Sequence, residues 1–245
     1  MQIFAVVVTL FVIGSLVGWL IELFFRRFVS QKKWMNPGFL TGPYLPIYGF
    51  GVLGMYGLSE LFLSLDLENQ FSVPVWASYI IQVLAIGIIL ITIEFLAGLI
   101  FIKGLGLKLW DYSNRWGNTL GIVCPLFDVL WTAAGAIYYF FIHPYLKTGI
   151  MWLAEEDHNI YYLFVGVVLG MMIVDFFYSA HVATSLVKFA KTNKVVLKLS
   201  EIQSELKEKN EEFKKKLFVF PTSQNLKDIL NKIKSKNSNE DNQEG

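Results

Sequence analysis

Apolar residues run through this chain in long stretches that polar residues only punctuate. The stretches cover about Ile3 to Phe25, Leu45 to Leu65, Trp76 to Ile102, Thr119 to Ile142 and Ile160 to Ser185. Each is long enough to cross a hydrocarbon layer of about 30 Å, which takes roughly 20 helical residues. The pattern predicts an all-α fold over residues 1–187, a polytopic membrane bundle of five transmembrane helices. Past Lys188 the pattern changes. Leu199, Ile202, Leu206, Phe213 and Leu217 roughly mark one helix face among alternating Glu and Lys, and Pro221 breaks it. Leu226, Ile229, Leu230 and Ile233 then mark a shorter piece beside Lys227, Lys232, Lys234 and Lys236. Residues 188–234 are therefore read as an amphipathic cytoplasmic helical tail attracted to anionic lipid. Residues 235–245 are polar and read as a disordered C-terminus.

Between the first two stretches, Asn36 to Gly51 carries Pro37, Pro43 and Pro46 with Gly38, Gly42, Gly49 and Gly51, yet apolar and aromatic side chains lie between them. Exposed loops seldom have this composition. Proline is tolerated at membrane depth where neighbouring groups satisfy the freed backbone, and glycine lets backbones approach closely. The segment reads as a broken, buried entry into the second helix, with Asn36, Gly38, Gly42, Pro43, Pro46 and Gly49 as its structural loop residues.

Charge orders the loops. The first carries Arg26, Arg27, Lys32 and Lys33, and the third Lys103, Lys108 and Arg115. The second has Asp66 and Glu68, and the fourth has Glu155, Glu156 and Asp157 against Lys147. Basic loops favour the cytoplasmic side, so the expected topology is multi-pass in the cytoplasmic membrane with the N-terminus outside and the C-terminus inside. The first stretch lacks a basic n-region and an A-x-A site, so it is expected to remain as a span rather than a cleaved signal. With 54% hydrophobic residues and a net charge of +1, the composition points to the lipid bilayer and gives no reason to expect nucleic acid. The single cysteine, Cys124, falls within the fourth stretch and excludes an intramolecular disulfide.

Candidate chemistry is confined to a few polar residues. Gly14 and Gly18 have a spacing that lets helices approach closely, as do Gly166 and Gly170. Glu22 precedes Arg26 by four residues on one helix face. Glu94 lies about two turns inside the end of span three. Asp128 and Asp175 are placed near mid-bilayer, with Pro125 one turn before Asp128. A carboxylate at a spanning helix centre costs about 2.5 to 3.5 kcal/mol even on the lenient insertion scale. Three arrangements would relieve that cost: hydrogen-bonded neutral acids, a proton or cation path, or capture of Arg26 or Arg115 by a folded-in loop. The segment Trp110 to Asn118 is either an interfacial aromatic anchor or such a loop, bringing Asp111, Asn114 and Arg115 toward the bundle. No P-loop, H-E-x-x-H or G-x-S-x-G motif occurs, and His143, His158 and His181 fall at scattered positions. No catalytic residue, metal site or cofactor is assigned.

Gly18-Trp19 with Glu22, Gly38-Phe39-Leu40 to Gly42-Pro43, Pro46-Ile47-Tyr48-Gly49, Glu94 with Gly98, Trp110-Asp111-Tyr112-Ser113, Asn118 with Gly121, and His143-Pro144 can be taken together. In these motifs the chain resembles the bacterial family called putative ABC-transporter type IV, the CmpB-like permeases. The resemblance covers about Gly14 to Pro144, leaving span five with Asp175 outside it. This chain departs from the family in having Pro37 where a basic residue is usual and Asp128 where a small hydroxyl residue is usual. The resemblance implies a membrane permease whose ATPase is a separate chain, and brings no catalytic residues with it.

The resulting reading is a permease-like transporter component, coupled to a separate ATPase subunit or to protons. A non-transporting scaffold, assembly or immunity-type partner, and a membrane enzyme acting on lipid, are the alternatives. A homo-oligomer is left open.

Overall fold

The computed structural model describes residues 2–30, 32, 34–155 and 159–193. Lys33, Glu156, Asp157 and His158, and the tail beyond residue 193, lie outside the described residues. The chain forms α1 (Gln2–Phe25), α2 (Pro46–Leu65), a short α3 (Leu67–Phe71), α4 (Val75–Ile100), α5 (Pro125–Ile137), α6 (His143–Glu155) and α7 (Asn159–Asn193). Wider π-helical turns follow α1 at Arg26–Ser30 and α4 at Phe101–Leu105, and a third, Tyr138–Ile142, joins α5 to α6. The result is a helical bundle with, among the described residues, five segments long and apolar enough to cross a membrane: Ile3–Val29, Pro46–Leu65, Val75–Leu105, Pro125–Trp152 and Tyr161–Ser185.

Local chemistry sets the boundaries. Pro46 opens α2 and Pro125 opens α5, each at the first helical position, where its missing N–H is no loss. Asp66 closes α2 in the left-handed conformation, its N–H bonding to the Phe62 carbonyl. The fourth span therefore begins at Pro125, not at Thr119. Thr119 and Val123 instead form an isolated antiparallel bridge across a tight turn in which Leu120 and Gly121 both have positive φ. Cys124 caps α5 in extended conformation, 1% exposed, and so precedes the span rather than lying inside it. Asp128 is correspondingly moved from mid-span into the first turn of α5. At the other end of the chain α7 passes Ser185 and continues as helix to Asn193.

α1 is the organising element, packing on α2 and α7, while α2 packs on α4 and α4 on α5. Val12 and the loop residues Leu40 and Tyr44 form one buried cluster with Val165, Val168 and Met172 of α7. The α1–α2 contact is a seam of small residues. A Cβ on Gly18 would lie 2.2 Å from the Tyr48 side chain, one on Gly14 would lie 2.9 Å from Val52, and one on Gly49 would lie 2.6 Å from the Phe11 carbonyl oxygen. Gly14 and Gly18 thus pack inside the monomer. Gly166 and Gly170 do not: neither has a neighbour within 4 Å of an added Cβ, and both are exposed.

The outside of the bundle is apolar. Ile88, Val129, Phe141, Leu163 and Phe177 are each more than 60% exposed along their spans. Such a surface suits hydrocarbon, where the interior holds the polar groups and the exterior need not.

The seam predicts a sharp contrast between two glycines of similar sequence setting. Gly18→Ala is expected to lower the thermal midpoint of the purified protein by several degrees, because overpacking a tight contact costs about 1–3 kcal/mol. Gly57→Ala, whose Cβ meets nothing within 4 Å, is expected to leave the midpoint unchanged or raise it. Thermal unfolding in mild detergent, followed by circular dichroism, reads both.

Candidate functional site

The loop from Asn36 to Leu45 has few partners of its own, because prolines and glycines prevent a regular ladder. Two polar side chains supply them. The Asn36 carboxamide oxygen accepts from the Trp19 indole N–H at 2.8 Å and from the Gly38 N–H at 3.2 Å, while its NH₂ donates to the carbonyls of Leu40 at 2.9 Å and Thr41 at 3.3 Å. Asp175 on α7 completes the arrangement. Its Oδ1 accepts from the Thr41 N–H at 3.2 Å, the Thr41 hydroxyl at 2.8 Å and the Ser179 hydroxyl at 3.0 Å. Its Oδ2 accepts from the Gly42 N–H at 2.9 Å and the Tyr44 hydroxyl at 2.8 Å. Every contact donates to the acid, so the donor set suits a carboxylate. Burial, then the bond to Asp175, pushes the Tyr44 phenol far above its usual range, and it stays a donor at any physiological pH. Asp175 is thus relieved by loop donors and not by an arginine or another acid.

A second cluster gathers at the same end of the bundle. Glu22 on α1 accepts from Arg26 Nε at 3.0 Å and from the Tyr48 hydroxyl at 3.1 Å. Glu94 on α4 accepts at Oε1 from the Tyr112 hydroxyl at 3.3 Å. Tyr48 and Tyr112 lie within electrostatic range of each other and of both glutamates, and Asp128 on α5 lies within that range of Glu94. Trp131, one turn along α5, packs edge-on against Tyr48 at 5.5 Å, and Phe127 stacks on Tyr112 at 4.5 Å. Glu94 is 5% exposed, and the Trp131 indole lies within hydrogen-bonding reach of its carboxylate. Asp128 Oδ1 is buried and unpartnered. Among the described residues no Lys or Arg pairs with Glu94 or Asp128.

The Trp110 to Asn118 segment folds in, but by a different residue from those expected. Asp111, Asn114 and Arg115 are exposed, and Asp111 pairs with Lys108 at 3.3 Å. The Ser113 hydroxyl and N–H, and then Lys108, hold the Asp111 carboxyl below its usual range. Tyr112 is the side chain that enters the bundle. The loop holds it there through the Trp110 indole on the Ile122 carbonyl at 2.8 Å, the Tyr112 N–H on the Gly121 carbonyl at 2.8 Å, and Asn118 bonded to the carbonyls of Ser113 and Arg115. Gly121 has φ +70°, and a Cβ there would lie 2.7 Å from Asp111 Oδ1. In the sequence Tyr48 and Tyr112 stand only within the motifs shared with the family, with no role of their own, and Trp131 carries no signal that separates it from the apolar residues of its span.

At the opposite end, Glu60 joins Lys147 at 2.9 Å and buried His143 at 3.2 Å. The histidine's other ring nitrogen, Nδ1, meets the Tyr138 hydroxyl at 3.2 Å. This ties α2 to the fourth span across the π-helical turn. Among the described residues no group of His, Cys, Asp and Glu is arranged to hold a metal ion.

Residues 9–180 match the sequence model of a family described as "Putative ABC-transporter type IV". The match extends past Pro144 and takes in span five with Asp175. No curated protein and no solved structure matches the chain.

Removing the Asp175 carboxylate leaves buried donors unpaired, at about 1–3 kcal/mol for each. Asp175→Ala is therefore expected to open the 36–45 loop to limited proteolysis and to lower the thermal midpoint more than Tyr44→Phe, which removes one donor and leaves the carboxylate its others. Equal proteolytic resistance of Asp175→Ala and the parent would disprove the clasp.

Proposed function

The chain belongs to the putative ABC-transporter type IV family, and from that membership we propose that it is the permease-like membrane component of a transporter. The observation that carries the reading is the polar cluster of Glu22, Tyr48, Glu94, Tyr112 and Asp128. It is built from four spans and a folded-in loop, and within it Asp128 Oδ1 is buried without a partner. Intramembrane ionisable groups that face a bundle interior mark substrate or ion pathways by default. In the cytoplasmic membrane, loop charges support an orientation with the N-terminus outside and the C-terminus inside. In that orientation the cluster, the Asn36–Leu45 loop and the Trp110–Asn118 loop all lie toward the cytoplasm.

The chain has no P-loop, so energy from ATP requires a separate ATPase subunit. Its docking surface in this reading comprises the exposed rim of the third loop, where Arg115 and Trp116 project, together with the chain from residue 188, most of which lies outside the described residues. Coupling to protons through Glu94 and Asp128 is the other energy source compatible with this reading.

Affinity purification of the tagged chain from its native membrane in mild detergent, with mass spectrometry of what accompanies it, tests the proposal. A P-loop ATPase is expected in stoichiometric amount, with recovery reduced severalfold by Arg115→Ala together with Trp116→Ala. Recovery of a homo-oligomer with no ATPase would remove ATP coupling.

A further inference from the structure

The cluster around Glu94 has a composition that narrows what it can hold. Glu22 is matched by Arg26 at 3.0 Å and by the Tyr48 hydroxyl. Asp128 Oδ1 remains buried and unpartnered and Glu94 Oε2 has only the Trp131 indole beside it, on neighbouring helices and within electrostatic range of each other. Uncompensated carboxylates at this depth call for positive charge, and a cation supplied from outside the chain would meet the need. A metal ion fits poorly. It needs several hard ligands converging at short distances, and no such group occurs among the described residues. Rings instead stand beside the acids, Trp131 against Tyr48 and Phe127 against Tyr112. Aromatic faces beside carboxylates are the pairing that recognises an alkylated ammonium, whose charge is diffuse and whose surface is partly apolar.

We propose that this cluster is a binding site for an organic ammonium ion, a protonated amine or quaternary ammonium, with Glu94 and Asp128 as counter-charges and Tyr48, Tyr112 and Trp131 as the ring wall. The inference rests on the transporter reading in taking the site as the substrate position, although binding itself requires neither an ATPase nor flux. Tyr48 and Tyr112 donate their hydroxyls to Glu22 and Glu94. That orients the carboxylates, with Phe127 stacked on the Tyr112 ring and with Gly18 and Trp131 packed against Tyr48. Glu94 contributes the charge at the buried end, and Asp128, less buried and in the first turn of α5, contributes it nearer the loop. The ammonium could arrive as a free small molecule or as the headgroup of an aminophospholipid. Both share the chemistry the site reads.

The full chain in nanodiscs of phosphatidylglycerol alone is titrated by calorimetry with ethylammonium, tetramethylammonium, sodium and magnesium. Saturable binding of an organic cation is expected, with sodium and magnesium failing to compete at equal concentration. Glu94→Gln and Asp128→Asn should each weaken that binding by about tenfold or more. Trp131→Leu should weaken tetramethylammonium more than ethylammonium, because the larger, weakly hydrated cation depends more on the ring face. Glu60→Gln, outside the cluster, should bind as the parent does. Repeating the titration with phosphatidylethanolamine in the nanodisc separates the sources: a fall in apparent ethylammonium affinity identifies a headgroup ligand, and an unchanged affinity a free one. Failure of every organic cation to bind the folded parent would overturn the inference, as would a site preferring magnesium or full binding retained by both acid variants. Because the parent titration decides between organic and inorganic ions by itself, a variant that fails to fold does not leave the question open. Absence of binding alongside a co-purifying ATPase would remove only the ligand, and binding without an ATPase would remove only ATP coupling.

Discussion

A bilayer offers no water to backbone groups, and the break between the first two spans would be untenable there without the Asp175 carboxylate. The prolines and glycines from Pro37 to Pro46 free N–H and C=O groups that no helix or strand satisfies. Asp175 gathers the N–H groups of Thr41 and Gly42 with three hydroxyls, and Asn36 gathers the carbonyls of Leu40 and Thr41. One side chain solves the donor half of the problem and the other the acceptor half. The exchange also works in reverse, since the loop donors are what make a carboxylate tolerable at that position on α7.

The intramembrane acids therefore divide into two kinds by how their oxygens are filled. Asp175 has both oxygens saturated by groups that must be buried anyway. Glu94 and Asp128, on helices that pack directly against each other, have no cation beside them among the described residues, and Asp128 Oδ1 is buried without a partner. A structural acid becomes cheaper as its shell is completed by the protein. An acid left incomplete persists in a folded chain only where something else pays that cost, and a ligand or a proton is the available candidate. Glu22 stands between the two kinds, with Arg26 filling one oxygen and Tyr48 the other.

The same division explains what could be read from the sequence. Span length and loop charge are one-dimensional properties, so four of the five spans were legible to within a few residues, while the fourth runs from Pro125 to Trp152 where Thr119 to Ile142 was expected; the broken entry to α2 was legible too. Their errors are local: Pro125 starts its helix where a proline can, and the positive φ of Leu120 and Gly121 makes a turn of what hydropathy counts as membrane. The acids were visible as costs, but which donor meets which carboxylate depends on contacts between residues more than 130 positions apart, as with Thr41 and Asp175. Periodicity carries no information at that separation. Tyr112 was obscured for a different reason. An aromatic residue at a span end has an ordinary interfacial role, and only the folded loop, through Trp110, Asn118 and Gly121, turns that ring inward while Asp111 and Arg115 stay outside.

The clasp and the open cluster are also mechanically joined. Ser15 on α1 accepts the Leu45 N–H at 2.9 Å, one residue before α2 begins, and Tyr48 lies in the first turn of that helix against Gly18. The Asp175 clasp fixes Thr41 to Tyr44, the Ser15 contact fixes Leu45, and the small-residue seam fixes the depth of Tyr48. Tyr48 in turn carries the hydroxyl that fills Glu22 and the ring that meets Trp131. A shift of α7 that loosened Thr41 and Gly42 would be transmitted through this short path to the wall of the cluster. The match to the family runs from residue 9 to residue 180, so it takes in both ends of that path.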